Sequence, residues 1–200
     1  MEKARPVIAC VYRTGKEYNA SHVYALRDMC AKHIPGHDFV CLSNVEDLDC
    51  KTIPLLHRFH GWWSKMELFR IPGPVLYFDL DTIIRGTIDT SIFADKDFVI
   101  MRDVYRGPRN PKAMQSSVMY WSGDMSWLYK KFLIDPEECP GGDQEYIEKN
   151  VEVATYLQDI MPVVSFKADV LRRGLEESDH LVIFHGQPRP WNQDVIPYPS

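Results

Sequence analysis

The sequence predicts an α/β fold built on a mostly parallel central sheet flanked by helices. Apolar strand-like runs alternate with segments of helical spacing from Val7 to Phe184, the pattern of successive strand-helix units. The run Val75-Leu76-Tyr77-Phe78 is apolar at every position, as in a strand buried on both faces, and it closes on Asp79-Leu80-Asp81. In an open α/β sheet the carboxyl ends of the strands are where ligands bind. With 200 residues, 45% hydrophobic and 26% charged, one domain over residues 1–200 has enough apolar material for a core.

Val7–Tyr12 reads as the first strand and residues 19–34 as a helix, closed by Pro35-Gly36. Residues 39–42 form a second strand. Helical spacing over 62–71 stops at Pro72-Gly73-Pro74, because a proline restricts its predecessor to extended backbone. The acid-tipped strand follows. Residues 98–101 and 118–121 read as further strands, 126–133 as a helix, and Gly141-Gly142-Asp143-Gln144 as the opening of another helix with Asp143 suited to cap it. Residues 163–166 and 181–184 are late strands, and the proline-rich tail from Pro188 onward is a candidate binding loop.

The net charge of −5, with Lys and Arg scattered, argues against a nucleic-acid or anionic-membrane footprint, so a phosphate ligand would need a local basic spot. The apolar run near the start is about six residues, too short for a signal core or a membrane span, and a cytoplasmic location is expected. Cys10, Cys30, Cys41, Cys50 and Cys139 are odd in number and lack a Cys-x-x-Cys pair, which suggests neither a disulfide frame nor a zinc site; Cys10 and Cys41 fall in strands and are expected in the core.

Residues two apart on a strand share a face, so Asp79 and Asp81 would project together, a hard-oxygen pair suited to Mg²⁺ or Mn²⁺. The competing reading is a plain turn facing water. His185-Gly186-Gln187-Pro188-Arg189-Pro190-Trp191 follows the last strand. Gly186 permits close backbone approach, the prolines stiffen the loop, Arg189 offers a planar fork for phosphate oxygens, and His185 can supply a neutral imidazole to the same metal. Equally, His185 can be a hydrogen-bonded strand end and Arg189 an exposed tail charge. Lys65 is placed either to reach a ligand phosphate or to be a solvated helix lysine, and the adjoining Trp62-Trp63 pair suits packing better than a stacking platform.

Taken together these segments resemble the family 8 glycosyltransferases of the GT-A fold, the glycogenin-like and bacterial galactosyltransferase-like members. Ala9-Cys10-Val11-Tyr12 leading to Tyr18 matches the family's uracil-binding segment. Ser64-Lys65-Met66 followed by Tyr77-Phe78-Asp79-Leu80-Asp81-Thr82 matches its lysine and Asp-x-Asp. Asp103 matches the acid near the transferred sugar, Gly141-Gly142-Asp143-Gln144 is present unchanged, and Gly186 to Trp191 matches Gly-x-x-Lys-Pro-Trp with Arg189 replacing lysine.

The resemblance implies a single GT-A, Rossmann-like domain that moves a sugar, with retention, from a nucleotide diphosphate sugar, UDP-linked, to a hydroxyl acceptor, with Mn²⁺ or Mg²⁺ as cofactor. It implies metal ligation by Asp79, Asp81 and His185, donor binding by Tyr12, Tyr18, Lys65, Gly186, Arg189 and Trp191, and catalytic roles for Asp143, Gln144 and Asp103. Three departures stand out. Gln115-Ser116-Ser117 replaces Asn-Ser-Gly, the histidine sits one residue before the loop glycine instead of three, and the chain is short for the fold. Two other readings remain: a nucleotide-sugar-binding module without turnover, and a haloacid-dehalogenase-type phosphatase, whose pattern wants Thr or Val where Ile83 stands.

Overall fold

In the structure, a computed structural model that describes residues 5–15, 17–136 and 139–199, the strands are β1 (Val7–Tyr12), β2 (Phe39–Ser43), β3 (Lys51–Pro54), β4 (Val75–Phe78), β5 (Thr82–Ile84), β6 (Phe98–Arg102), β7 (Met114–Trp121), β8 (Thr155–Tyr156), β9 (Val164–Ser165) and β10 (Leu181–Ile183). Among the described residues seven of them form the central sheet in the order β3-β2-β1-β4-β7-β6-β8. All its pairings are parallel except those of β7, which runs against both β4 and β6. Alternation along the strands splits the core into two layers. Ile8, Cys10, Leu76, Phe78, Val118 and Tyr120 face one side, while Ala9, Val75, Tyr77, Met119 and Trp121 face the other.

Helix α1 (Ala20–His33) begins where the sequence places it because Asn19 accepts the Ser21 N–H at 2.9 Å while His22 Nδ1 accepts the Asn19 N–H at 3.0 Å, a reciprocal cap. Lys32 in its last turn complements the helix dipole. Its apolar stripe of Val23, Leu26, Met29 and Cys30 covers one face of the sheet. On the other face lie the 3-10 segment Gly61–Arg70, α2 (Ser126–Ile134) and α3 (Asp143–Asn150), packed against Trp121 and Met119. Trp121 is fully buried, and its indole N–H reaches the Ile71 carbonyl at 2.9 Å.

Several elements differ from expectation. The segment expected as a helix over 62–71 winds as tight 3-10 turns, and the strand expected over 118–121 starts earlier, at Met114. β3, β5 and β8 are too short or too polar to show periodicity in the sequence. The late strand shrinks to β9, with Phe166 opening a π-helical turn, Phe166–Val170, that leads into Leu171–Arg173. Cys10 and Cys41 are buried in strands as expected, and the five cysteines are free thiols. Among the described residues no helix is long and apolar enough to cross a membrane.

A second sheet, β5-β10-β9, sets the position of the carboxyl-terminal loop. β5 starts one residue after Asp81, and β10 ends two residues before His185. The antiparallel register Ile183↔Thr82 therefore lays that loop beside the acids.

Glu67 fixes the wall on the far side. It is fully buried, its carboxylate accepts the Leu56 N–H at 2.7 Å and the His57 N–H at 3.0 Å, and it pairs with Arg70 at 2.7 Å. Replacing it strands two backbone donors and a cation. Glu67→Ala is expected to cost about 3 kcal/mol and to lower the melting midpoint by roughly 6 to 12 °C. A loss of under about 1 kcal/mol in urea titration would show that the 55–60 loop holds itself.

Candidate active site

Where the carboxyl ends of β1, β4 and β10 meet, a cavity of about 1150 Å³ opens. A second one of about 930 Å³, lined by Pro6, Pro74, Asp97 and Ser122, lies at the opposite strand ends and contains none of the expected site residues. Beyond Phe78 the chain turns. The Asp79 N–H donates to the Ser117 carbonyl at 2.8 Å and the Thr82 N–H to the Asp79 carbonyl at 3.1 Å. This turn carries both acids into the cavity.

Each acid already holds a cation. Lys65 Nζ lies 2.9 and 3.0 Å from the two Asp79 oxygens, and the Tyr77 hydroxyl donates a short hydrogen bond to the same carboxylate. Lys65 Nζ also donates to Ser116 Oγ at 3.2 Å, and that hydroxyl donates to Asp143 at 2.5 Å. The direct Lys65–Asp143 separation is 3.5 Å. Asp81 accepts a 3.1 Å bond from the Tyr18 hydroxyl and a short one from Arg189. Arg189 in turn pairs with Glu17, to which Gln187 donates at 3.0 Å, so the loop after β10 is tied across the cavity to the loop after β1.

Burial dominates the electrostatics. It raises Asp81 to about 6, with the Asp79 charge adding and Arg189 opposing. It also raises Asp143, against the pull of Lys65. Desolvation would lower Lys65, but the carboxylates of Asp143 and Asp79 outweigh it and hold the lysine above its ordinary value. Burial pushes the Tyr18 hydroxyl upward and keeps it a donor, and it lowers His185, favouring the neutral imidazole.

Of the residues expected at a site, Asp79, Asp81, Asp103, Asp143, Gln144, Tyr18, Lys65, His185, Gly186 and Arg189 line this one cavity. Two do not. Tyr12 alternates with Val11 along β1 and faces the core under α1, 6% exposed. Trp191 stacks on His22 at 3.8 Å and presses edge-on against Tyr18 at 5.5 Å, so it supports the tyrosine from behind. Asp143 is not the cap of α3. Its carboxylate is turned into the cavity, and Gly142, at φ +70°, occupies the cap position. Asp103 is engaged by its own loop through the N–H groups of Tyr105 and Arg106 and the Arg106 guanidinium. Although burial opposes it, those bonds hold the Asp103 carboxyl below its usual value.

Asp79, Asp81 and His185 share the cavity but are not drawn into one coordination group. Among the described residues no three acidic, histidine or cysteine side chains gather closely enough for one. The reason is visible in the pairing: Asp79 turns to Lys65 and Tyr77, Asp81 to Arg189 and Tyr18. As donors the residues suit a hard divalent cation. His185 Nε2 is buried without a hydrogen-bond partner, and the two carboxylates supply oxygens. Glu17 and Tyr77 were not expected as site residues, and Ser116 entered only through the Gln115-Ser116-Ser117 departure from Asn-Ser-Gly. Tyr77 had a readable signal, standing two residues before Asp79 on the same strand face, whereas Glu17 had none.

No family model matches the chain, and no curated protein matches it in sequence. Solved structures do. An active-site mutant of LgtC, a galactosyltransferase also solved with donor and acceptor sugar analogues, superposes with a TM-score of 0.63 at 13% identity, over 94% of this chain and 90% of that one. GlyE, a glycosyltransferase of Streptococcus pneumoniae, gives a TM-score of 0.67 at 13% identity over 97% of this chain and 58% of its own. A glycosyltransferase involved in the glycosylation of the major capsid of PBCV-1 gives 0.59 at 11% identity over 94% and 97%. The likeness is one of architecture: the chain has the GT-A fold of these glycosyltransferases.

Lys65 is the counterion of an acid pair, so its loss should show in a pH-dependent way. Lys65→Met is expected to cost about 3 kcal/mol, because it leaves the buried Asp143 and the half-buried Asp79 without their shared cation. Burial raises the Asp143 carboxyl, and a group whose folded pKa is raised contributes stability that falls as pH rises through that pKa. The deficit against wild type should thus be larger at pH 8 than at pH 5 in thermal melts. Equal deficits would indicate lost packing rather than lost charge.

Proposed function

We propose that the protein is a metal-dependent, retaining glycosyltransferase, moving a sugar from a UDP-linked donor to a hydroxyl acceptor. The observation that carries this reading is the half-buried Asp79–Lys65–Ser116–Asp143 network standing beside the Asp81–Arg189 pair in one cavity at the strand carboxyl ends. It supports the reading because the cations and acids for holding a diphosphate and its counterion are concentrated there, on a chain whose Lys and Arg are scattered along the sequence. The fold shared with known glycosyltransferases agrees with it.

Asp79, Asp81 and His185 would hold Mn²⁺ or Mg²⁺, which when bound supplies Lewis-acid neutralisation of the diphosphate. The residues themselves do the rest. Tyr18 presents its ring and hydroxyl at the donor end, where Trp191 fixes its position. Arg189 offers its fork to phosphate oxygens once released from Asp81 and Glu17, and Gly186, at φ +67°, lets the backbone approach. Lys65 adds a fixed positive charge next to the leaving group, where charge grows as the glycosidic bond breaks. Asp143, held by Ser116, and Gln144 border the space for the transferred sugar and orient it and the incoming hydroxyl.

UDP with Mn²⁺ is expected to raise the melting midpoint, whereas either alone raises it much less. At about 100 times the dissociation constant the ligand contributes about 2.7 kcal/mol, or roughly 5 to 11 °C for a chain of this size. Chelation of the metal should reverse the shift, and Asp81→Ala should abolish it. The absence of a shift with UDP, GDP or ADP plus metal sinks the reading.

Binding and chemistry should separate by residue. Asp143→Asn is expected to keep UDP binding and lose at least about 10²-fold in transfer rate. Arg189→Ala should weaken UDP more than UMP in calorimetric titration, because its fork is assigned to the diphosphate. Tight nucleotide binding without transfer to any acceptor would instead indicate a binding module.

A further inference from the structure

We propose that Arg13 selects the base of the nucleotide donor, donating to the O4 carbonyl of uracil and so disfavouring cytosine; this rests on the donor reading given above. Arg13 directly follows β1 and lines the cavity. Alternation carries past Tyr12, which faces α1, so Arg13 belongs with Val11 to the opposite layer. There its Nε donates to Ser64 Oγ at 2.8 Å, and its Nη2 donates a short bond to the His57 carbonyl. Both anchors are themselves fixed. Ser64 is buried and donates to the Phe59 carbonyl at 3.1 Å, while Glu67 accepts the His57 N–H at 3.0 Å.

These two acceptors are neutral, and among the described residues no carboxylate pairs with Arg13. Lys65 and Arg189, in the same cavity, are each matched by two carboxylates. Arg13 is therefore a half-buried cation, rigidly held, whose Nη1 is taken by neither bond. A guanidinium carries donors and no acceptor, so the group it meets on a ligand must accept.

Its place along the sheet says which part of the donor that is. In the strand order β2-β1-β4-β7 the acid pair follows β4, and Ser116 of β7 holds Asp143, the carboxylate assigned to the transferred sugar. A donor with its diphosphate at those acids and its sugar at Asp143 extends its nucleoside the other way, over the ends of β1 and β2. That end is braced. The Thr14 N–H donates to Asn44 Oδ1 at 3.0 Å and Asn44 Nδ2 donates to Thr14 Oγ1 at 2.8 Å, which ties the turn after Arg13 to the end of β2. Uracil, like thymine, presents a carbonyl acceptor at the position where cytosine presents an amino donor. A fixed cation that can only donate favours the first and meets the second donor to donor.

The test is calorimetric titration of UDP and CDP, each with Mg²⁺, into the full chain as wild type, Arg13→Ala and Arg13→Gln. Wild type should bind UDP about 10-fold more tightly than CDP, the discrimination expected of one base-edge contact. In Arg13→Ala the two affinities should come within about twofold of each other, through loss of UDP affinity with CDP nearly unchanged. Arg13→Gln can still reach Ser64, and its amide both donates and accepts, so it too should lose the preference while keeping the wall in place. Three results overturn the proposal: equal UDP and CDP affinity in wild type, a UDP preference that persists in both variants, or a parallel loss of both nucleotides, which would assign Arg13 to the phosphates or to the wall. Failure of wild type to bind either nucleotide removes the donor reading itself, and the base assignment falls with it.

Discussion

The Lys65 ammonium, buried between Asp79 and Asp143, is the interaction on which the rest of the site depends. It joins three elements that the chain order keeps apart: the 3-10 segment that carries the lysine, the end of β4 and the start of α3. Taking three charges out of water costs several kcal/mol each, and the cost is offset only when every partner is placed and hydrogen-bonded. Ser116, projecting from β7, completes that arrangement by bonding to both Lys65 and Asp143. Four segments must therefore be in register before the charges are tolerable, and a cluster this demanding is easiest to account for as the machinery of a site.

Around this centre the structure manages its charges in pairs. Arg189 answers Asp81 and Glu17 together, which ties the carboxyl-terminal loop to the amino-terminal one over the cavity. The small β5-β10-β9 sheet makes this geometry possible, because the antiparallel β5–β10 ladder aligns the residue after Asp81 with the strand that leads to His185. Under the proposed function, a charged ligand would exchange partners with these side chains rather than meet them bare. The acids and cations are preorganised by each other, and the same groups are the ones a diphosphate and its metal would recruit.

Asp143 shows how two readings of one residue were separated. In sequence it suits a helix cap and a site acid equally well. In the fold a left-handed glycine takes over the cap position, and the carboxylate turns inward. The same glycine seats Trp62, so a short Gly-Gly-Asp-Gln segment shapes the acid, the helix start and the aromatic rim at once.

What the sequence determined by itself was the local logic. The apolar runs of β1, β2 and β4, the first helix closed by Pro35-Gly36 and the acid-tipped strand end all follow from period, propensity and breaker residues, which depend on neighbours in the chain. Asp79, Asp81, His185, Gly186 and Arg189 were legible from spacing and side-chain chemistry, whereas Tyr18 and Asp103 were expected only from the resemblance to family 8 glycosyltransferases. What only tertiary structure decided was which side chain meets which. The reversal of β7, the pairing of two- and three-residue strands, the turning of Tyr12 into the core, the withdrawal of Trp191 behind Tyr18 and the recruitment of Glu17 by Arg189 rest on contacts across many tens of residues. No local pattern encodes them, because strands this short carry almost no periodicity and a buried ion pair is chosen by the geometry of the packed sheet.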